Sequence, residues 1–263
     1  MIRPGAIGDC ILSLPALECL RSDYTEVWVR SEVVPLIGFA DCGRSLGSTG
    51  IDRMGLTGLD PPPELLVQLR SFNEIVSWYG SNRAEFRAQM NQLCVPLRFL
   101  DALPPAAEKT HAADFFLQQA GCSGIALPRI PCLPGPTGDF AVIHPFSGSA
   151  RKNWSLEHYR ELARCLGMPV RWCAGPEEQL EDAARIDNLY ELACWLATAR
   201  VYVGNDSGIT HLAASVGIPV VAIFGPTDPA VWAPRGERVR VVSGNLNDIS
   251  VEQVLNAVAS VTI

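Results

Sequence analysis

The segment Gly204-Asn205-Asp206-Ser207-Gly208-Ile209-Thr210-His211-Leu212-Ala213-Ala214 lies between two apolar runs, Ala199 to Val203 and Ile218 to Phe224. Its residue types and spacing predict a strand, a tight polar turn, a short helix and a second strand ending at Gly225-Pro226-Thr227. A carboxylate, a hydroxyl and a glycine thereby meet at a helix N-terminus, where unpaired backbone N–H groups and the helix dipole favour a bound anion. A phosphorylated ligand suits such a turn. Taken alone, Asp206 and Ser207 are equally well explained as helix caps.

His211 stands four residues after Ser207, so on a helix both share a face and the imidazole can turn back toward the anion site. The ordinary alternative is a packed, hydrogen-bonded histidine. Arg151 and Lys152, after the strand-like Phe140 to Pro145, supply cations that can follow a phosphate, or that simply stay solvated. Glu177 and Glu178 follow the strand-like Val170 to Ala174 and Gly175-Pro176. A Rossmann-like sheet sets an acidic residue there on a ribose hydroxyl, and Glu178 is the choice of the two. Either also fits the acidic first turn of a following helix. Thr227 and Asp228 lie just beyond a strand end, where ligands meet this kind of sheet. Asp9, after Gly5 and Gly8, sits in a loop opening a helix, where a carboxylate serves as a base or as a cap.

The ensemble of Asp206-Ser207-Gly208, His211, Gly217-Ile218-Pro219 and Phe224-Gly225-Pro226-Thr227-Asp228-Pro229 resembles the C-terminal signature of the family 9 glycosyltransferases, the bacterial lipopolysaccharide heptosyltransferases. Arg3-Pro4-Gly5-Ala6-Ile7-Gly8-Asp9, followed by the apolar Cys10 to Leu20, looks like that family's opening loop and first helix. Lys152-Asn153-Trp154-Ser155 is similar to its Lys-x-Trp element. These blocks span most of the chain.

The resemblance implies an α/β protein of GT-B fold, two Rossmann-like domains facing across a cleft. It further implies an inverting glycosyltransferase that forms no covalent intermediate. The donor is then a nucleotide diphosphate sugar, ADP-heptose, and the acceptor a lipopolysaccharide core precursor or related glycan. Asp9 becomes the general base, while Lys152, Arg151, Glu178, Asp206, Ser207, Gly208, His211 and Thr227 become donor contacts. His211 touches the diphosphate or orders its loop and transfers no proton; Trp154 walls the pocket or anchors its helix, the structural role being the choice of the two. One departure is visible: the chain starts Met1-Ile2-Arg3, where the family usually has a complete apolar first strand. The same residues also fit a nucleotide-sugar-binding relative that has lost transfer, or another GT-B transferase or nucleotide-sugar epimerase. Asp9 and Lys152 count against the first of these, since a pure binding protein needs no base.

A net charge of −7 with no long basic run argues against a general nucleic-acid binder. With 263 residues and 48% apolar content the chain can bury one large core or two modest ones, and alternating strand-like and helix-like segments favour two. Nine cysteines, scattered and without a Cys-x-x-Cys pair, suit free thiols in a reducing cytosol, with Cys10, Cys165, Cys173 and Cys194 as small core side chains. Four histidines without a close pair give no metal site, so neither metal nor bound cofactor is expected. No apolar run reaches the roughly 20 residues that span a bilayer. The expectation is a cytoplasmic protein, with peripheral contact at the inner membrane following from the acceptor class.

The elements that must position these residues divide around 126–138, where repeated proline and glycine preclude a continuous helix or central strand. The expected division is an acceptor-side domain over 1–130 and a nucleotide-sugar-binding domain over 138–263. Before the linker, Glu26 to Val34 and Ser71 to Tyr79 read as strands and Leu12 to Leu20 and Ala112 to Gln119 as helices, with loop between Gly38 and Gly58. After it, strands at Phe140–Pro145, Val170–Ala174, Val201–Gly204 and Val220–Phe224 alternate with helices at Leu156–Leu166, Leu189–Thr198 and Thr210–Ser215. Ser250 with Gln253 predicts a capping box that starts a final helix.

Overall fold

The computed structural model describes every residue except Glu108, Pro134 and Ile263. Ile2 alone bridges in parallel to Trp28 and to Ser77, which places it at the centre of a first sheet. Gly5, at φ +123°, turns the backbone into helix α1 (Ile7–Cys19). Cys10, Ile11, Leu12, Leu14, Ala16 and Leu17 of this helix are all buried, as suits a helix enclosed on more than one face. There follow β1 (Glu26–Val29), β2 (Cys42–Ser45), α2 (Pro63–Arg70), β3 (Ile75–Ser77), α3 (Ala84–Asn91), β4 (Leu97–Phe99) and α4 (Ala112–Gln119). All pairings are parallel, in the order β2, β1, Ile2, β3, β4.

This half is more finely divided than its sequence predicts. The strand expected over Glu26 to Val34 stops at Val29, and Ser31–Leu36 winds into a 3-10 turn around Pro35, which has no N–H for a ladder. The strand expected over Ser71 to Tyr79 is confined to Ile75–Ser77. The stretch between Gly38 and Gly58, expected as loop, contains β2. Helix α1 begins at Ile7 rather than Leu12, so Asp9 sits within its first turn and not in the loop before it.

The second half runs β5 (Ala141–His144), α5 (Leu156–Cys165), β6 (Val170–Trp172), α6 (Leu189–Leu196), β7 (Val201–Asn205), α7 (Gly208–Ser215), β8 (Val220–Phe224), α8 (Pro229–Trp232), β9 (Val239–Ser243) and α9 (Val251–Val261). Its five strands are parallel in the order β6, β5, β7, β8, β9. Ser155 caps α5, and Ser250 with Gln253 forms the expected box at α9. The chain leaves β5 for β6 on one side and returns to β7 on the other. In such a sheet the crevice beyond the carboxyl ends of β5 and β7 is where ligands bind.

The expectation of two separate cores is not met. One apolar cluster runs from Leu12, Leu17 and Phe116 in the first half to Leu192, Tyr202, Leu212 and Phe224 in the second, with a smaller cluster on the outer side of each sheet. Alternation of elements reports the sheets but not the apolar seam between α1 and α7. The proline-rich stretch 126–138 has neither helix nor strand among its described residues, and its Pro134 lies outside them. Ala126 and Ile130 are buried, and Ile130 N–H donates to the Ser215 carbonyl at 3.0 Å.

The cysteines depart from expectation. Cys19 and Cys122 are paired as a disulfide across 103 residues, joining the end of α1 to the turn after α4. Scattered spacing in sequence says nothing about which chain segments meet in space. Cys10 and Cys173 are buried, whereas Cys194 is half-buried and Cys165, the last residue of α5, is exposed. Among the described residues no helix is long and apolar enough to cross a membrane, and no group of three or more His, Cys, Asp or Glu could hold a metal ion.

Candidate active site

A cavity of about 350 Å³ lies where the start of α1 meets the start of α7, and it brings together Asp9, Lys152, Asp206, Ser207, Gly208, His211 and Thr227. Two glycines permit the approach. A Cβ on Gly8 would stand 2.9 Å from His211 Cδ2, and one on Gly208 would stand 2.7 Å from Ile7 Cβ. Either is closer than carbon atoms tolerate, so any side chain at Gly8 or Gly208 would push the two helices apart.

On the α1 side, Asp9 occupies the third helical position and its Oδ2 accepts the Ala6 N–H at 3.1 Å, which steadies the helix start. Its backbone carbonyl receives a guanidinium N–H of Arg3 at 3.2 Å. Arg3 is only 1% exposed, with its guanidinium 4.4 Å from the Phe116 ring centroid and 5.8 Å from that of Trp78. Burial lowers its pKa, while Cys10 and Asp9 act in the opposite sense. A cation lodged beneath the first turn of α1 thus holds the backbone of Asp9 while leaving its carboxylate to the cavity.

On the α7 side the polar turn divides its labour. Ser207, not Asp206, caps the helix: its hydroxyl accepts the Thr210 N–H at 3.3 Å. The N–H groups of Gly208 and Ile209 have no acceptor among the described residues, as geometry requires of a first helical turn. Asp206, 7% exposed, pairs with Lys152 at 2.7 Å. Behind them Asn205 is fully buried, and its Oδ1 accepts from the Trp154 N–H and the Tyr159 hydroxyl, both at 2.9 Å. Asn205 also donates to the Pro145 carbonyl at 2.8 Å, tying the turn after β5 to the turn after β7. Trp154 is buried and donates to the Ile249 carbonyl at 3.0 Å, so it anchors its helix as expected from its sequence context.

His211 is a neutral ring. Burial pushes its pKa down to about 4, with His111 and Lys152 acting in the same direction and Asp206 against it. Its Nδ1 is buried without a hydrogen-bond partner among the described residues. Because the folded pKa lies below the ordinary value of about 6.5, the unfolded chain takes up the proton first. Stability associated with neutral His211 is therefore complete above about pH 6.5 and is lost as pH falls toward 4, by on the order of 3 kcal/mol. Urea unfolding of the wild type and His211→Gln at pH 7 and pH 4.5 should show the wild type losing more stability between the two. Equal losses would mean that His211 does not carry the effect.

Residues 133–257 match the model of glycosyltransferase family 9 (heptosyltransferase). The C-terminal half of the chain is thus similar to that family. Lipopolysaccharide heptosyltransferase 1 of Escherichia coli (strain K12) is 30% identical over 161 residues, which are 54% of this chain and 50% of the relative. The chain spans about half the length of the curated relatives it matches. Among solved structures, the glycosyl transferase family 9 protein from Veillonella parvula DSM 2008 superposes with a TM-score of 0.76 at 17% identity, over 99% of this chain and 96% of that one. An Escherichia coli heptosyltransferase with ADP-2-deoxy-2-fluoro heptose gives 0.72 at 18% identity, over 98% of both chains. The two parallel sheets therefore form a GT-B fold.

The matched half contains Lys152 and everything from Asp206 to Thr227, whereas Asp9 lies outside the matched residues. Two expected donor contacts do not reach the cavity. Arg151 shares the 3-10 turn Ala150–Lys152 with Lys152, and adjacent side chains of such a turn point about 120° apart, so Arg151 is exposed where Lys152 is turned inward. Glu178 folds back on its own loop, accepting the Gly175 N–H at 2.6 Å and facing His144 Nε2 at 3.1 Å. Burial alone would raise its pKa, but His144, the Gly175 N–H and Arg185 bring it below the usual carboxylate value. Glu178 nevertheless follows β6, on the same carboxyl edge as the cavity and separated from β7 by β5. Thr227 lines the cavity, and Asp228 caps α8 by accepting the Ala230 N–H at 2.9 Å. Sequence reasoning missed Asn205, His144 and Trp232. A polar residue at the last position of an apolar strand is the signal that marks the first two.

Proposed function

We propose that this chain is an inverting glycosyltransferase that moves a sugar from a nucleotide diphosphate donor, ADP-heptose, to a lipopolysaccharide core or related glycan acceptor. The single observation that carries this reading is the cavity in which Asp9 of one half faces Lys152 and the open end of α7 of the other. The diphosphate lies at the α7 N-terminus, on the N–H groups of Gly208 and Ile209 and the Lys152 ammonium. Lys152 uses one of its three donors on Asp206 and keeps the others for phosphate oxygens. Strands β7 and β6 stand two spacings apart, about 10 Å, which suits the distance from a diphosphate to ribose hydroxyls near Glu178.

In the reaction the acceptor hydroxyl gives its proton to the Asp9 carboxylate as its oxygen attacks the anomeric carbon from the face opposite the leaving group. The bond from that carbon to the diphosphate oxygen breaks, and the electron pair stays on the diphosphate. Charge therefore grows where Lys152 and the two N–H groups stand, which is where fixed donors lower a barrier. No ionisable nucleophile is needed for a single inverting displacement, and the solved neighbour that holds ADP-2-deoxy-2-fluoro heptose supports the donor expectation. The acceptor belongs to the same reading, with a peripheral position at the cytoplasmic membrane face.

The test begins with thermal unfolding in the presence of ADP, UDP, GDP or NAD. A nucleotide at about 100 times its Kd adds roughly 2.7 kcal/mol, a shift of about 2 to 4 °C for a chain near this size. ADP should be the one that shifts the transition, and ADP-heptose with a core acceptor should then give a new glycosidic bond. A shift without transfer supports a binding relative, a UDP or GDP preference replaces the donor, and no shift removes the nucleotide site.

A further inference from the structure

The cavity wall includes Trp232, the last residue of α8. The carbonyl of the next residue, Ala233, meets Nε2 of His111 at 2.9 Å, across 122 residues. His111 belongs to the other half, where it caps α4: its Nδ1 accepts the Ala113 N–H at 3.2 Å. The same Nδ1 accepts the Nε–H of Arg235 at 3.1 Å. A backbone N–H and a guanidinium N–H can only donate, so Nδ1 bears the lone pair and the ring proton sits on Nε2, facing the Ala233 carbonyl. The ring is kept neutral by burial first and by the Arg235 charge second, against the Ala233 bond and Asp114. Arg235 in turn pairs with Asp114, whose other oxygen accepts the Ala126 N–H at 3.1 Å. The corner after α8 is thus fastened to the start of α4 by bonds in which every donor has an acceptor.

We propose that His111, through the Ala233 carbonyl, positions Trp232 at the Asp9–Lys152 cavity, so that a residue outside the cavity lining sets the shape of the donor-binding wall. His111 is not part of the cavity lining, and its hydrogen bonds reach the cavity through the corner that it holds. The kinetic part of this proposal rests on the transferase reading; the placement of Trp232 does not.

Two substitutions separate positioning from mere helix capping. His111→Asn keeps an acceptor at the Nδ1 position and is a good cap, but cannot reach Ala233. His111→Gln carries an N–H at the distance of Nε2 and restores that bond. In 5-fluorotryptophan-labelled protein, with the Trp232 resonance assigned by Trp232→Phe, the Asn variant should shift that resonance and the Gln variant should hold it. In transfer assays kcat/KM for the donor should fall about 10²-fold in the Asn variant, the usual cost of small misplacement, and remain near wild type in the Gln variant. Equal behaviour of the two variants, or rescue by Asn and not by Gln, overturns the proposal. A wild type that transfers no sugar would remove the transferase reading, and the fluorine resonance would then decide the positioning alone.

Discussion

Asp9→Asn should keep the fold and the nucleotide and lose the reaction. Asparagine retains a carbonyl oxygen where Asp9 Oδ2 accepts the Ala6 N–H, so the first turn of α1 stays closed. The Arg3 bond goes to the backbone carbonyl of residue 9 and is indifferent to the side chain. What the substitution removes is the ability to take a proton, which for a general base costs roughly 10²- to 10⁴-fold in rate. The measurement is initial rate with ADP-heptose and acceptor, alongside the thermal shift with ADP. An unchanged shift with the rate loss places Asp9 in the chemical step. Turnover like that of the wild type would assign the base to another group, and loss of the shift would make Asp9 part of the nucleotide site.

Lys152→Ala should damage both stability and binding, and the two losses should be separable. The substitution leaves Asp206, 7% exposed, as an unpartnered carboxylate. Breaking a buried pair from one side costs about 3 to 5 kcal/mol, and the partial exposure of Lys152 puts the expected value near about 3. Adding Asp206→Asn removes the stranded charge and should recover most of that stability. It should not recover turnover, because on the proposed mechanism the lost ammonium also faces the departing diphosphate, where one fixed donor contributes about 2.7 to 4 kcal/mol. Urea unfolding and ADP titration of the single and double variants give both numbers. A double variant that regains ADP affinity and turnover would reduce Lys152 to a structural partner of Asp206.

The segment from β7 through β8 was the most legible part of the chain. Apolar runs flank a turn whose Ser207 caps α7, and Val220 to Phe224 form β8 with the predicted bounds. Helix α4 was legible from local patterning, and the start of α9 from its capping box. The first half was harder to read. Cys42-Gly43-Arg44-Ser45 has no apolar pattern because it is an edge strand, and Leu97-Arg98-Phe99 is too short to show a period. Side-chain partnerships were not legible at all. Lys152 and Asp206 are 54 residues apart, and nothing local distinguishes Lys152, which turns inward, from Arg151, which does not. The burial of Asn205 as a tie between two turns likewise emerges only when β5 and β7 lie side by side.

The seam between α1 and α7 joins the base of the cavity to the largest apolar cluster of the molecule. The halves cannot separate there without wetting that cluster, so the seam fixes the distance between the first turn of α1 and the turn before α7. On the proposed reading, a donor settled on α7 would therefore meet Asp9 already held at a fixed place across the seam.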